Sequence, residues 1–446
     1  MKKIKVEKIV LISLITIFLG FTLYVAFNLK MGITSDAWYH LRVSQKFSET
    51  WGLPKNSAET FSWRDIEHIP YLYFWINARL LNLNSIIGNF NEVVILRVFS
   101  VFYSLGTVVG VYLLSKEFFK NKWLRILPVF LLTNTLMFLF LSSAINYDNL
   151  GNMFAVFSIL FFVRALKDTG SLKNILLMLI MLCLGTLTKY TVMPLAFILV
   201  LLMGLDILKN WSVWKKSFKG SVLWLILPLL FVGVLNIGVY GFNLIEYHSL
   251  TPKCLDVLTY EQCLENGVFF RDNVSIPEVE VNVVDMVVSG ERMDPVRYTG
   301  VWIWEMTKRI VSIMGDKSLY TSNYVIPLYI VFLIITIVMG IKNWKCFSKE
   351  VKFMSLSTLF YLSVLLFVQN YDMYLKRGYP TLALQGRYMF PVISSFYVLS
   401  VLFLSKIKKK WFKYLVFGGL ILLFVIGCLP FFFTKVDWSW FGNIEY

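Results

Sequence analysis

Residues 175–208, ILLMLIMLCLGTLTKYTVMPLAFILVLLMGLDIL, form an apolar stretch interrupted by Lys189-Tyr190-Thr191. Read as one pass through a membrane, it would place the Lys-rich segment 209–220 outside and invert every later span. Read as two passes with a turn at Lys189, all Lys/Arg-rich loops fall on one side, as the positive-inside rule requires. The first of the two passes is then about 14 residues, roughly 21 Å at ~1.5 Å per residue. That is short of a ~30 Å hydrocarbon core, so Lys189 is expected recessed from the outer surface, facing protein or a wet cavity.

Working outward, apolar runs flanked by charge give about eleven spans. They lie near 9–29, 93–115, 126–144, 149–165, 175–188, 192–208, 222–243, 323–341, 353–369, 389–405 and 414–433. The segments MKKIKVEK, SKEFFKNKWLR, RALKDTGSLKN, DILKNWSVWKKSFKG, IKNWKCFSKEVK and SKIKKKWFK are assigned to the inner side. The 446 residues are 57% hydrophobic and only 16% charged, against about 25% charged in soluble domains. The net charge of +16 resides mainly in short loops, a pattern that sets orientation and argues against a nucleic-acid partner. The expected class is an all-α polytopic membrane protein, multi-pass in the cell membrane. The N-terminus is cytoplasmic, and the first run, Ile9 to Leu29, is an uncleaved signal-anchor. Lys-rich loops point to a prokaryotic source.

Two segments expected outside are long. Residues 30–92 carry the polar helix-like DAWYHLRVSQKFSETW and the aromatic IPYLYFWINARLL. Residues 244–322 carry a β-prone EVEVNVVDMVV and the amphipathic VRYTGVWIWEMTKRIVSIMG. Their Trp and Tyr content predicts juxtamembrane helices lying at the lipid surface, with membrane lipid as a partner. Cys254 and Cys263 are candidates for a local disulfide in an oxidising exterior.

SDAWYH, residues 35–40, sets Asp36 and His40 on one helical face just beyond the first span. The helix start is read as capped by Thr34, Ser35 or Asp36, or Asp36 as a carboxylate tuned near the lipid interface to act as a general base. The two are not exclusive. Asp148, in INYDNLGN, has the same dual reading at the start of the fourth span. His40, Arg42 and His68 are candidate substrate or metal contacts, although an interfacial packing role suits the histidines as well. No metal is expected; if one binds, a divalent cation such as Mg or Mn would use Asp36, Asp148 and His40. Basic candidates are Arg42, Arg97, Lys189, Arg377 and Arg387. Recessed Lys189 and Arg387 suit a lipid phosphate, for which guanidinium offers a bidentate fork. A Walker-type loop, a Ser-His-Asp order and an HExxH helix are missing.

These features resemble the GT-C superfamily of polyprenyl-phosphate-sugar-dependent glycosyltransferases. SDAWYHLRVSQKFSETWGLP is similar to the acidic first-loop motif, above all as found in oligosaccharyltransferase catalytic subunits. HIPYLYFWINARLL, VILRVFSVFYSLGTVVGVYLLSKEFF, INYDNLGNMFAVFSILFFVRAL and LGTLTKYTVMPLAFILVLL resemble successive membrane segments of protein O-mannosyltransferases and aminoarabinose transferases. LQGRYMFPVISSFYVL resembles their Arg-Tyr-containing later helix. The resemblance implies a GT-C membrane module over 1–210, with first external loop 30–92. A more variable module follows over 211–446, with external loop 244–322.

The resemblance further implies catalytic roles for Asp36 and Asp148, and carrier-phosphate binding by Lys189, Arg387 and Tyr388. Ala37 follows Asp36 where the mannosyltransferases carry Glu, and the WWDYG motif of oligosaccharyltransferases is missing. Transfer of a single sugar, hexosyl or mannosyl in type, is therefore expected rather than block transfer to asparagine. The expected activity is inverting transfer from a polyprenyl-phosphate-linked sugar donor to an acceptor hydroxyl on a glycan, lipid or protein, on the extracellular or periplasmic face. The alternatives are a transporter or flippase of lipid-linked sugars, or a non-catalytic subunit of a glycan-assembly complex.

Overall fold

The computed structural model describes residues 6–63, 65–217, 222–279 and 283–444. Helices dominate, and the β pairing among the described residues is limited to two isolated bridges, Leu29 with Phe441 and Ile313 with Leu319. In chain order the main helices are α1 (Val6–Asn28), α2 (Ala37–Ser48), α3 (Leu72–Ile87), α4 (Glu92–Phe118), α5 (Lys122–Thr133), α6 (Leu136–Leu141), α7 (Asp148–Lys167) and α8 (Leu172–Thr188). There follow α9 (Tyr190–Lys209), α10 (Ile226–Tyr247), α11 (Pro295–Ile310), α12 (Ile326–Lys342), α13 (Lys349–Arg377), α14 (Gly386–Leu404) and α15 (Lys410–Lys435).

Eight of these, α1, α4, α7, α9, α10, α13, α14 and α15, are long and apolar enough to cross a membrane, and α8 and α12 are shorter apolar helices. This is a multi-pass membrane protein. Of the eleven expected spans, 126–144 departs most from a single helix: it divides into α5 and α6. There Asn134 Nδ2 donates to Phe130 O at 2.9 Å and Thr135 Oγ1 to Leu131 O at 2.8 Å. Such local bonds offer the backbone an alternative to helix continuation, and Thr135 is extended.

The break at Lys189 is as read from the sequence. α8 ends at Thr188, Lys189 is extended, and a 3-10 turn over Tyr190–Val192 opens the next helix. Ion pairs locate the two ends of the bundle. At one, Lys122 meets Glu7 at 2.9 Å, Arg164 meets Glu117 at 2.9 Å and Lys349 meets Asp206 at 2.7 Å. At the other, Lys189 pairs with Asp148 at the head of α7. α9 therefore runs from Lys189 back to Asp206, and the stretch 175–208 makes two passes.

Burial separates core from rim. The most apolar windows of α7 and α14 are each 78% buried, against 28% for α1 and 22% for α10. The first two are the centre of the bundle, and their N-termini carry Asp148 and Arg387. Outside the bundle α2 packs on α3, burying Phe47, Tyr73 and Phe74 while leaving Leu83, Ile86, Ile87 and Phe90 exposed. Helix α11 starts on a cap: Asp294 accepts from the Val296 and Arg297 amides, with Pro295 at the first position. The stretch 278–288, expected to be β-prone, is helical over Val283–Ser289, with residues 280–282 outside the described ones. Cys254 and Cys263 are disulfide-bonded, as anticipated.

Candidate active site

The chain leaves α1 under the control of a buried cation. Arg97, on α4 and fully buried, donates from Nη1 to Leu29 O at 2.5 Å and to Ala26 O at 3.4 Å. These carbonyls lie at the α1 C-terminus, where helices have no internal donors left. The loop that follows delivers Asp36 at φ 59, in the left-handed region, immediately before α2.

The cap reading of Asp36 holds in position and not in bonding. Asp36 occupies the N-cap position, but its side chain makes no cap hydrogen bond. Its Oδ2 instead accepts from Arg387 Nη2 at 2.6 Å. Nor does Asp148 cap α7: Tyr147 is at the N-cap and Asp148 is the first helical residue. The Asp148 carboxylate takes Lys189 Nζ in an ion pair and stands 3.6 Å from Arg387 Nε. In both places the carboxylate bonds a nearby cation, a charge-assisted contact, and no backbone amide of the helix start.

Four charges thus meet at one end of the bundle from four distant stretches of chain. Asp148, Lys189 and Arg387 are buried, whereas the Asp36 side chain is 42% exposed. The aromatic rings of Tyr147 and Tyr388 lie 4.6 and 5.0 Å from Lys189 Nζ, favourable positions for a buried ammonium. Tyr361 on α13 fixes the turn by donating to Tyr388 O at 2.9 Å. Arg387 is only partly engaged: its Nε and Nη1 are buried and make no hydrogen bond within the described protein. Unsatisfied buried donors on a guanidinium are costly and suit an anion with several oxygens.

The other candidates lie elsewhere. His40 is fully buried, its ring 4.4 Å from that of Tyr147 and stacked on Phe74. Arg42 lies over Trp38 and Trp63 at 5.8 and 5.9 Å. His68 forms a cluster of its own. Its Nδ1 is 3.1 Å from Asp65 and its Nε2 is 3.2 Å from the Tyr247 hydroxyl. Burial draws the His68 pKa down, but Asp65 outweighs it and the net shift is upward. Burial pushes Asp65 up, and the hydrogen bonds from His68 and Asn56 bring it below its ordinary value. Arg377 pairs with Glu278 at 3.0 Å. Among the described residues no group of three or more His, Cys, Asp and Glu could hold a metal ion, and Asp36 and Asp148 face cations. The donor set does not fit a divalent cation as it stands.

Sequence reasoning missed Asp316. Partial burial and the neighbouring Asp36 carboxylate push its pKa up, with Arg387 opposing. Its segment abuts the Asp36 loop, since Lys317 N donates to Ile33 O at 3.2 Å. No local pattern in IMGDKS marks this; the contact is wholly tertiary.

Residues 68–236 match the family described as dolichyl-phosphate-mannose-protein mannosyltransferase. The resemblance to polyprenyl-phosphate-sugar-dependent enzymes holds over that stretch, which contains Asp148 and Lys189 but neither Asp36 nor Arg387. Among curated proteins none matches the chain. Among solved structures, ArnT from Cupriavidus metallidurans in the apo state is similar at 11% identity and TM-score 0.49. That likeness covers 91% of this chain and 62% of the other. The archaeal oligosaccharyltransferase AglB from Archaeoglobus fulgidus, in complex with an inhibitory peptide and a dolichol-phosphate, is similar at 12% identity and TM-score 0.47. It is covered over 55% of its length by 96% of this chain. The chain thus spans under two thirds of these structures.

Proposed function

We propose that this protein is an inverting glycosyltransferase that moves a single sugar from a polyprenyl-phosphate carrier to an acceptor hydroxyl. The observation that carries the reading is the charge cluster: a half-exposed carboxylate bonded to a buried guanidinium with donors to spare. Arg387 and Lys189 hold the carrier phosphate, and the match of residues 68–236 to a family of dolichyl-phosphate-mannose-protein mannosyltransferases supports that donor class.

In the transfer step the Asp36 carboxylate takes the proton of the acceptor hydroxyl. The acceptor oxygen forms a bond to the anomeric carbon from the face opposite the phosphate. The bond from that carbon to the phosphate oxygen breaks, and the electron pair leaves on the carrier phosphate. Arg387 and Lys189 stabilise the charge that develops there. Asp148 keeps both cations in place. No step is routed through a metal. The phosphate and Asp36 compete for Arg387, so donor binding loosens the Asp36 pair and makes that carboxylate more basic as the acceptor arrives.

The Lys/Arg-rich loops lie at the end of the bundle opposite this cluster, which supports a site on the external face. Single-sugar transfer, of hexosyl or mannosyl type, fits a site that needs only one acceptor hydroxyl. The test is lipid mass spectrometry on cells lacking the protein, complemented with wild type or Asp36→Asn. Polyprenyl-phosphate-linked sugar should accumulate without the protein, fall with wild type and stay high with Asp36→Asn. Equal clearance by the variant at equal protein level refutes the proposal.

A further inference from the structure

Asp36 and Arg387 are 351 positions apart, yet their side chains meet at 2.6 Å. One segment, from the end of α11 to Leu319, touches the backbone beside both. On the Arg387 side, Arg309 Nη1 donates to Leu384 O at 2.5 Å while its Nε is held by Glu305 at 3.2 Å. Gly386 rests on the same helix end, where an added Cβ would stand 2.5 Å from Arg309 O and 2.7 Å from Ile310 N. On the Asp36 side, Lys317 N donates to Ile33 O at 3.2 Å. A Cβ on Gly315 would stand 2.5 Å from Ile33 O and 3.1 Å from Ser35 N. No real Cβ approaches backbone so closely, so either glycine is replaced only if backbone moves.

The segment between these contacts is braced. Ile313 and Leu319 exchange both backbone hydrogen bonds at 3.0 Å, and Thr321 bonds Ser312 Oγ and Val311 O at 2.8 Å each. Helix α11 is itself tied to α13 by Trp302 Nε1 donating to Asn370 Oδ1 at 2.9 Å. A braced segment with one contact beside each reacting residue sets the distance between them, because the brace fixes the span while each contact anchors its own end.

We propose that Arg309 and the Gly315 turn are positioning residues. Together they form a strap that sets the separation of Asp36 from Arg387, Arg309 acting through Arg387 and Gly315 through Asp36. The inference rests on the transferase reading above. It assigns a catalytic purpose to the last part of the long segment 244–322, and it predicts that the two ends of the strap fail differently.

The test uses the full chain in lipid nanodiscs with undecaprenyl phosphate as the binding probe, together with sugar transfer and hydrogen exchange. Arg309→Gln should raise the Kd for undecaprenyl phosphate about tenfold, with Arg309→Lys recovering most of it. Gly315→Ala should leave that Kd within about twofold of wild type and lower kcat by more than about tenfold. Exchange should rise at 384–388 in Arg309→Gln and at 33–37 in Gly315→Ala. Wild-type kcat and exchange in Gly315→Ala overturn the strap even if Arg309→Gln does not fold. So does a pattern in which both variants disturb both regions equally. If wild type does not bind the probe, the transferase reading fails, and the strap is still judged by where exchange rises.

Discussion

Replacing Asp36 by Asn separates chemistry from stability and should move transfer and carrier binding in opposite senses. The charge centres of Asp36 and Arg387 lie about 4 Å apart, an attraction of roughly 4 kcal/mol at an effective dielectric of about 20. Two-fifths of the Asp36 side chain is exposed, so solvent screening and side-chain ordering reduce the net value to about 1 kcal/mol. Asp36→Asn should therefore lower the unfolding free energy by no more than about 1 kcal/mol, as read by thermal unfolding in detergent. Transfer should fall by about 10²–10⁴, the range supplied by general bases. Carrier binding should tighten, because the phosphate no longer competes with Asp36 for Arg387. About 1 kcal/mol of relieved competition corresponds to roughly fivefold in Kd. The assay is titration of undecaprenyl phosphate into wild type and variant in nanodiscs, with transfer followed by mass spectrometry. Weaker carrier binding by Asp36→Asn, at unchanged unfolding temperature, would refute the competition argument.

Asp148→Asn should cost about 3–5 kcal/mol of stability, because it strands buried Lys189 and Arg387 beside each other. Adding Lys189→Met should restore part of that stability without restoring transfer; thermal unfolding of the double variant checks this. His68, held by Asp65 within segment 30–92, is joined to α10 through its contact with the Tyr247 hydroxyl. Because the folded His68 pKa is raised, its contribution is complete below about pH 6.5 and is lost as pH rises through the folded value. Because that of Asp65 is lowered, its contribution is present above about pH 3.9 and lost as pH falls through its folded value. Exchange protection at 242–250, corrected for intrinsic rates, should thus decline from pH 6 to 8.5 in wild type. It should be flat in His68→Phe; a flat wild-type profile defeats the linkage. Removing the Cys254–Cys263 bond by Cys254→Ser should cost about 3 kcal/mol through loop entropy. Exchange should rise at 254–266, and the effect should be small elsewhere.

Legibility in the sequence followed the range of the interactions. Apolar runs bounded by Lys and Arg report on the bilayer, a solvent that acts on every residue alike, so span positions were readable. The break at Lys189 was readable too, since a cation in an apolar run is expensive unless something receives it. Asp36, Asp148, Lys189 and Arg387 could be nominated from placement at one end of the bundle, and Tyr388 from the family resemblance alone. Their pairing could not, and local capping rules pointed both carboxylates to the wrong partners. The division of 126–144 at Asn134 was hidden because its hydropathy is unbroken; side-chain bonds to the backbone decide it. Asp65 and Tyr247, which engage His68, lie 3 and 179 positions from it, and only folding brings the second within reach. The strap was invisible for the same reason, since the close approaches of Gly315 and Gly386 belong to surfaces and not to motifs.

The left-handed backbone at Asp36 restricts which residues evolution or an engineer can place there. Glycine, asparagine and aspartate enter that conformation at low cost, and other side chains meet a penalty of about 1–3 kcal/mol. Of these three only aspartate carries a titratable oxygen. The position therefore favours aspartate among the carboxylates, while His248 and Ala383 show that other residues meet that penalty elsewhere in this chain. Glutamate, the usual conservative exchange, meets that penalty and is also one methylene too long for the 2.6 Å contact to Arg387. On the proposed transfer mechanism, loss of Asp36 is consequently a one-step event with few routes back.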